Sequence, residues 1–165
     1  MAKFTGKTTK FVKKAGLVSA PFLALLLTSC NGRREVKYYS EQLGIDFGYG
    51  DVYYFEDNHG GFLGDGYMLC EILFPDDRIE RQIKKSEYFT QYPLSENLKK
   101  FLYDPVDDSL NIPEFDNGYF YFYNRHSKAK HTDTDEDLFK TVSFNFTFVL
   151  YDCDEDMAYI CEYDT

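Results

Sequence analysis

The sequence predicts an α+β fold, a mostly antiparallel sheet of about five strands with two or three short helices packed on one face. Three observations predict it. Aromatic residues are abundant, 15 tyrosines and 16 phenylalanines. In the last third of the chain they alternate with period two through Tyr119 to Asn124, Val142 to Asp152 and Met157 to Tyr163, the spacing of half-buried strands. A turn at Asp154-Glu155 then sets Tyr163, Cys161 and Tyr159 beside Phe146, Phe148 and Leu150, so turn chemistry and pattern agree on one register. Shorter segments after residues 35, 77 and 95 instead repeat their apolar residues at helical spacing.

The first thirty residues are an address. Lys3, Lys7, Lys10, Lys13 and Lys14 lead into an apolar stretch from Ala15 to Leu27 that ends at Leu27-Thr28-Ser29-Cys30. A basic region, an apolar run of export length and small residues before a cleavage point describe a secretory signal peptide. A membrane span needs roughly 20 apolar residues, and this run is shorter and holds Pro21. Leu-Thr-Ser-Cys resembles the lipobox of bacterial lipoproteins. That resemblance implies a diacylglyceryl group on the Cys30 sulfur, cleavage before it, and a partner in the membrane through that lipid. The expected organisation is residues 1–29 as signal, 30–34 as a lipidated tether and 35–165 as one globular domain. The expected location is the extracytoplasmic face of the cell membrane.

In the domain, Val36, Tyr39 and Leu43 recur at helical spacing before Gly44, a residue suited to a helix C-terminus. Asp51 to Asp57 and Tyr67 to Phe74 read as strands joined by a loop with glycines at 60, 61, 64 and 66. Asp77-Arg78-Ile79-Glu80 has the capping-box pattern, with Ile79 and Ile83 on one face. A further helix from Ser95 places Leu98, Phe101 and Leu102 inward, and residues 104–117 read as loop. In the strand from Tyr119, the phenylalanines are expected in the core and the tyrosines half wet.

Charge excludes one class of partner. The chain has a net charge of −10, and the signal carries five lysines and no acidic residue. The mature protein is therefore close to −15, which is unsuited to nucleic acid, where Lys and Arg clusters drive binding. With Cys30 lipidated, Cys70, Cys153 and Cys161 remain. The hairpin register sets Phe148, not Cys153, opposite Cys161, so those two cysteines should not be joined. A Cys70–Cys161 bridge requires neighbouring strands, and three buried free thiols are the favoured state.

The most unusual segment is Glu56-Asp57-Asn58-His59-Gly60-Gly61-Phe62-Leu63-Gly64-Asp65-Gly66. Asp57, His59 and Asp65, with His126 further on, are the candidates for a divalent metal or another ligand. The competing account, which the pattern favours, is a hairpin loop whose Asp and Asn cap turns and whose glycines supply positive φ. Asp133, Asp135, Asp137 and Asp152, Asp154, Asp156 alternate as calcium loops do. Both runs lack the glycine and the bidentate glutamate such a loop needs, and read as a solvated loop and a hairpin turn. Arg125-His126-Ser127 and His131 lack the context of a nucleophilic serine.

The glycine-rich segment, together with Pro93-Leu94-Ser95-Glu96-Asn97-Leu98 and the stretch from Ser143 to Thr165, resembles a family of small, largely uncharacterised proteins, often lipoproteins, from clostridia and relatives. The resemblance covers nearly the whole mature chain and implies no activity, substrate or catalytic residue. Members often carry a second histidine where Leu63 stands here, so it lends no support to a histidine pair. The expectation is a membrane-anchored binding or interaction module that needs no cofactor. The competing expectations are a small metal-dependent hydrolase using Asp57, His59 and Asp65, and a structural or inhibitory envelope protein that meets another envelope protein through its half-wet tyrosines.

Overall fold

The computed structural model describes residues 32–60, 64–103, 110–125, 135, 138–140 and 143–165. The signal segment, Cys30, His126, Ser127, His131, Asp133 and Asp137 lie outside the described residues. Helix α1 covers residues 32–43 and ends at Gly44 with φ of +64°, the left-handed conformation that glycine adopts without a Cβ penalty. It is already helical at residue 32, within the segment expected to be tether. A 3-10 helix, Phe47–Tyr49, leads into β1 (Asp51–Asp57) and β2 (Gly66–Leu73). Helix α2 (Arg78–Ile83), strand β3 (Thr90–Gln91) and helix α3 (Glu96–Tyr103) follow. Strands β4 (Gly118–Asn124), β5 (Asn145–Asp152) and β6 (Met157–Asp164) complete the chain.

The six strands form one sheet in the order β1-β2-β6-β5-β4-β3, and every neighbouring pair is antiparallel. The α+β class and the antiparallel sheet are as the alternation predicts. The hairpin register also holds, with Phe148 opposite Cys161 and Phe146 opposite Tyr163. The sixth strand is β3, whose two residues pair with Phe120 and Tyr119. Two residues are too few to show a period, which is why the pattern yields about five strands.

The helices are not all on one face. On the first face α1 and α2 bury Val36, Tyr39, Leu43, Ile79 and Ile83 against Cys70, Ile72, Val149, Tyr151, Ala158 and Ile160. On the second, α3 and its neighbours bury Leu98, Leu102, Leu110 and Leu138 against Leu69, Phe146, Phe148, Leu150, Tyr159 and Cys161. Thr147 and Tyr151 stand on the face of β5 opposite Phe146 and Phe148, which helices on one side alone would leave uncovered. Both are buried, because their hydroxyls are satisfied inside: Tyr151 donates to Asp156 Oδ1 at 2.7 Å and Thr147 accepts from Arg125 Nη1 at 3.2 Å. A polar atom with a partner can enter a core. In β4, Tyr119, Tyr121 and Tyr123 are half-buried as expected, but Phe120 and Phe122 are no more deeply buried.

Helix starts follow local chemistry, with one correction. Ser95 Oγ accepts the Leu98 N–H at 3.2 Å, a side-chain cap at the start of α3. Asp77 does not cap α2. Its carboxylate pairs with Arg81 one turn on, and Asp76 Oδ1 takes the Arg78 N–H at 3.0 Å instead.

Cys70, Cys153 and Cys161 are free thiols. Strands β2 and β6 are neighbours, yet Cys70 stands opposite Ile160 and Cys161 opposite Leu69, so the two sulfurs belong to opposite faces and cannot pair. Cys153 is only half-buried, which departs from the expectation of three buried thiols. Burial pushes the Cys70 and Cys153 thiols up to about 12, with Glu80 adding to the effect at Cys153. It raises Cys161 as well, and pushes the Tyr159 hydroxyl to about 12. A thiol of the unfolded chain ionises near pH 8.5, so with rising pH the unfolded state loses its protons first and the native state loses stability across the interval up to about 12. Urea midpoints are therefore expected to fall between pH 7.5 and pH 10. A constant midpoint would contradict this account.

Candidate functional site

The first face of the sheet changes character from one row of residues to the next. Phe55, Cys70, Ile160, Val149 and Tyr121 form one cross-strand row, apolar except for the tyrosine hydroxyl. One pleat further on, the row is Asp57, Met68, Glu162, Thr147 and Tyr123. Beyond it Asp164 stands opposite Gly66 and Asn145, with Arg125 just after the end of β4. A strand face that continues Ala158 and Ile160 with Glu162 and Asp164 carries charge to the edge of a core, and charge there requires partners.

Those partners form a chain of contacts across four strands. Tyr39 of α1 donates its hydroxyl to Glu162 Oε1. Arg125 Nη1 lies 3.8 Å from the same carboxylate oxygen and donates to Thr147 Oγ1 at 3.2 Å. Arg125 Nη2 donates to Asp164 Oδ1, whose other oxygen lies 3.4 Å from His59 Nε2. His59 Nδ1 is 2.8 Å from Asp57 Oδ1, which also accepts the His59 backbone N–H at 3.1 Å. The imidazole thus sits between two carboxylates, while its Nε2 is shielded from solvent and lacks the alignment of a hydrogen bond among the described residues. Burial and the Glu162 carboxylate together raise the Tyr39 hydroxyl well above its ordinary range, so it stays protonated as the donor.

Of the candidates from the sequence, the structure joins Asp57 and His59. Asp65 is exposed and closes the loop through its backbone, its carbonyl accepting the Gly60 N–H at 3.1 Å. Asn58 ties the loop to β2 by accepting the Tyr67 N–H at 2.7 Å through its side chain. That is the turn chemistry the composition favours. No group of three or more His, Cys, Asp or Glu among the described residues is placed to hold a metal ion. The two acidic runs have structural work. Asp135 receives the Ser95 hydroxyl at the start of α3, and its carbonyl accepts from Asn97 at 3.1 Å. Asp152 Oδ1 accepts the Asp154 N–H at 2.8 Å, Asp154 accepts from Asn117 at 2.7 Å, and Asp156 receives Tyr151.

Beside this chain of contacts, α1 and β4 enclose a recess of about 100 Å³. Its walls include Tyr38, Tyr39, Tyr121 and Tyr123, with Glu162, Thr147 and Arg125. Tyr121 and Tyr123 lie parallel, 6.5 Å between centroids, while Tyr38 and Tyr39 meet edge to face at 5.1 Å. No family model, curated protein or solved structure matches the chain. The functional reading therefore rests on the residues themselves.

Proposed function

We propose that the chain is a bacterial lipoprotein, held at the extracytoplasmic face of the cell membrane by lipid on Cys30, whose domain is a binding module. The observation that carries the proposal is Leu27-Thr28-Ser29-Cys30 after a lysine-rich start and a short apolar run. Two acyl chains suffice for a stable anchor, at about 0.8 kcal/mol per buried methylene. No helix among the described residues is long and apolar enough to cross a membrane.

The fold adds a consequence for how such a domain would sit. Helix α1 is in place by residue 32, and a Cβ on Gly32 would meet Val52 Cγ1 at 3.1 Å and Phe55 at 3.2 Å, so its start is packed on β1. Two residues of chain reach at most about 7 Å. The domain would therefore be held close against the lipid, with Arg33, Arg34 and Lys37 near the head groups. Glu35 and Glu41, paired with Arg34 and Lys37, offset part of that charge.

Mass spectrometry of the membrane fraction is expected to find a diacylated N-terminal Cys30, and Cys30→Ala is expected to leave an unprocessed precursor. A fully processed chain with an unmodified Cys30 would overturn the proposal.

A further inference from the structure

We infer that the tyrosine-walled recess between α1 and β4 binds a small organic cation, an alkylammonium group, with Glu162 as its counter-charge. The inference rests on the binding-module reading and names its ligand class. Four tyrosines line the recess, Tyr38 and Tyr39 from the helix and Tyr121 and Tyr123 from the strand. An aromatic face is the negative end of a quadrupole, and several faces about one point attract a cation, best of all a weakly hydrated ammonium. The rings come as a parallel pair and a perpendicular pair. They therefore present surfaces in more than one direction rather than a single flat platform.

Charge selects the sign of the ligand. Arg125 is the guanidinium in the wall, and it is already engaged by Asp164 and Glu162. Two carboxylates thus meet one guanidinium, and the mature chain is close to −15. An anion would meet net repulsion here, whereas a cation gains from both the carboxylates and the rings. Size selects the scale: about 100 Å³ holds a single head group and falls well short of the pockets that take drug-sized molecules. An ammonium group can arrive as a free solute or as the head group of a lipid, and a recess beside α1, the helix nearest the anchor, is open to both sources.

The test uses the full chain purified from membranes in a detergent without an ammonium group. Choline is titrated against its uncharged isostere 3,3-dimethyl-1-butanol by ligand-observed NMR. Saturable choline binding is expected, with the isostere at least about tenfold weaker, the discrimination that desolvated cation–π contacts supply. Replacing Tyr121 and Tyr123 together by leucine keeps apolar area and removes the rings, and is expected to weaken choline about tenfold. Glu162→Gln serves as the second variant where the double change does not fold. Phosphatidylcholine vesicles that displace choline, when phosphatidylglycerol vesicles do not, assign the lipid source. Displacement by neither assigns a free solute, and both outcomes support an ammonium site. Equal affinity for choline and the isostere, no saturable binding, or unchanged binding in a folded variant would overturn the inference. Lipidation is read separately by mass, so such a failure in a correctly lipidated chain leaves the anchor proposal standing.

Discussion

Replacing Phe146 by alanine is expected to lower the stability of the domain by about 3 to 5 kcal/mol, the range for a fully buried phenylalanine. The side chain is 1 % exposed and lies near the start of β5 on the second face. Five rings surround it: Phe101 at 4.7 Å edge to face, Tyr163 at 5.7 Å nearly parallel, then Phe122, Phe144 and Phe148 at 5.7, 6.0 and 6.0 Å. These neighbours come from α3, from three strands and from the approach to β5, so no single movement can close the cavity an alanine would leave. The neighbouring Thr147 gives the contrast. It is also buried, 4 % exposed, but stands on the opposite face beside Glu162. Thr147→Ala removes a small group and one hydrogen bond with Arg125, a loss of about 1 kcal/mol. Urea melts of the two variants measure the difference, and comparable losses would refute the assignment of faces.

That contrast shows what a sequence can and cannot disclose. The register of the β5–β6 hairpin was legible because both of its causes are local: a turn at Asp154-Glu155 and side chains alternating with period two. The same alternation set Thr147 beside Glu162, which the structure bears out. What it could not disclose was that both faces of β5 are covered. Burial of the first face depends on α1 and α2, more than sixty residues away in the chain, and on hydroxyl partners such as Asp156 for Tyr151. Propensity and period carry no information about such distant partners.

The candidate site was legible in part for the same reason. Asp57 and His59 are two residues apart in one turn, and their contact is a local event. Asp164, Arg125 and Tyr39 reach the same place through the pairing of β2 with β6, the end of β4 and the passage of α1 over the sheet. None of these is encoded in a short spacing. One sign was present all the same. Along β6 the face that holds Ala158 and Ile160 continues with Glu162, a charged residue where an apolar one would extend the core. A carboxylate in that position needs a donor, and a search for its partner leads to Arg125 and Tyr39.

Replacing Gly118 by alanine is expected to cost about 2 to 4 kcal/mol, from overpacking together with weakened ladder bonds. A Cβ on Gly118 would lie 2.1 Å from the carbonyl oxygen of Tyr151 and 2.8 Å from Phe115 Cε2. The first of these is backbone, which cannot rotate away as a side chain can. Gly118 stands opposite Asp152, and its carbonyl accepts the Tyr92 N–H at 3.0 Å, while Asn117 next to it accepts from Cys153 at 3.0 Å. A shift of β4 to admit a methyl group would disturb the junction of β3, β4 and the β5–β6 turn together. The sequence pattern ends the loop at residue 117 and begins this strand at Tyr119, so it gives Gly118 no strand partner, and without one the same change would be mild. Gly60→Ala is the control, since its Cβ would meet only the Asn58 carbonyl oxygen at 3.6 Å, an ordinary contact. Thermal melts are expected to show a large drop for Gly118→Ala and almost none for Gly60→Ala. A Gly118→Ala protein that melts with the wild type would show that β4 and β5 do not approach each other so closely.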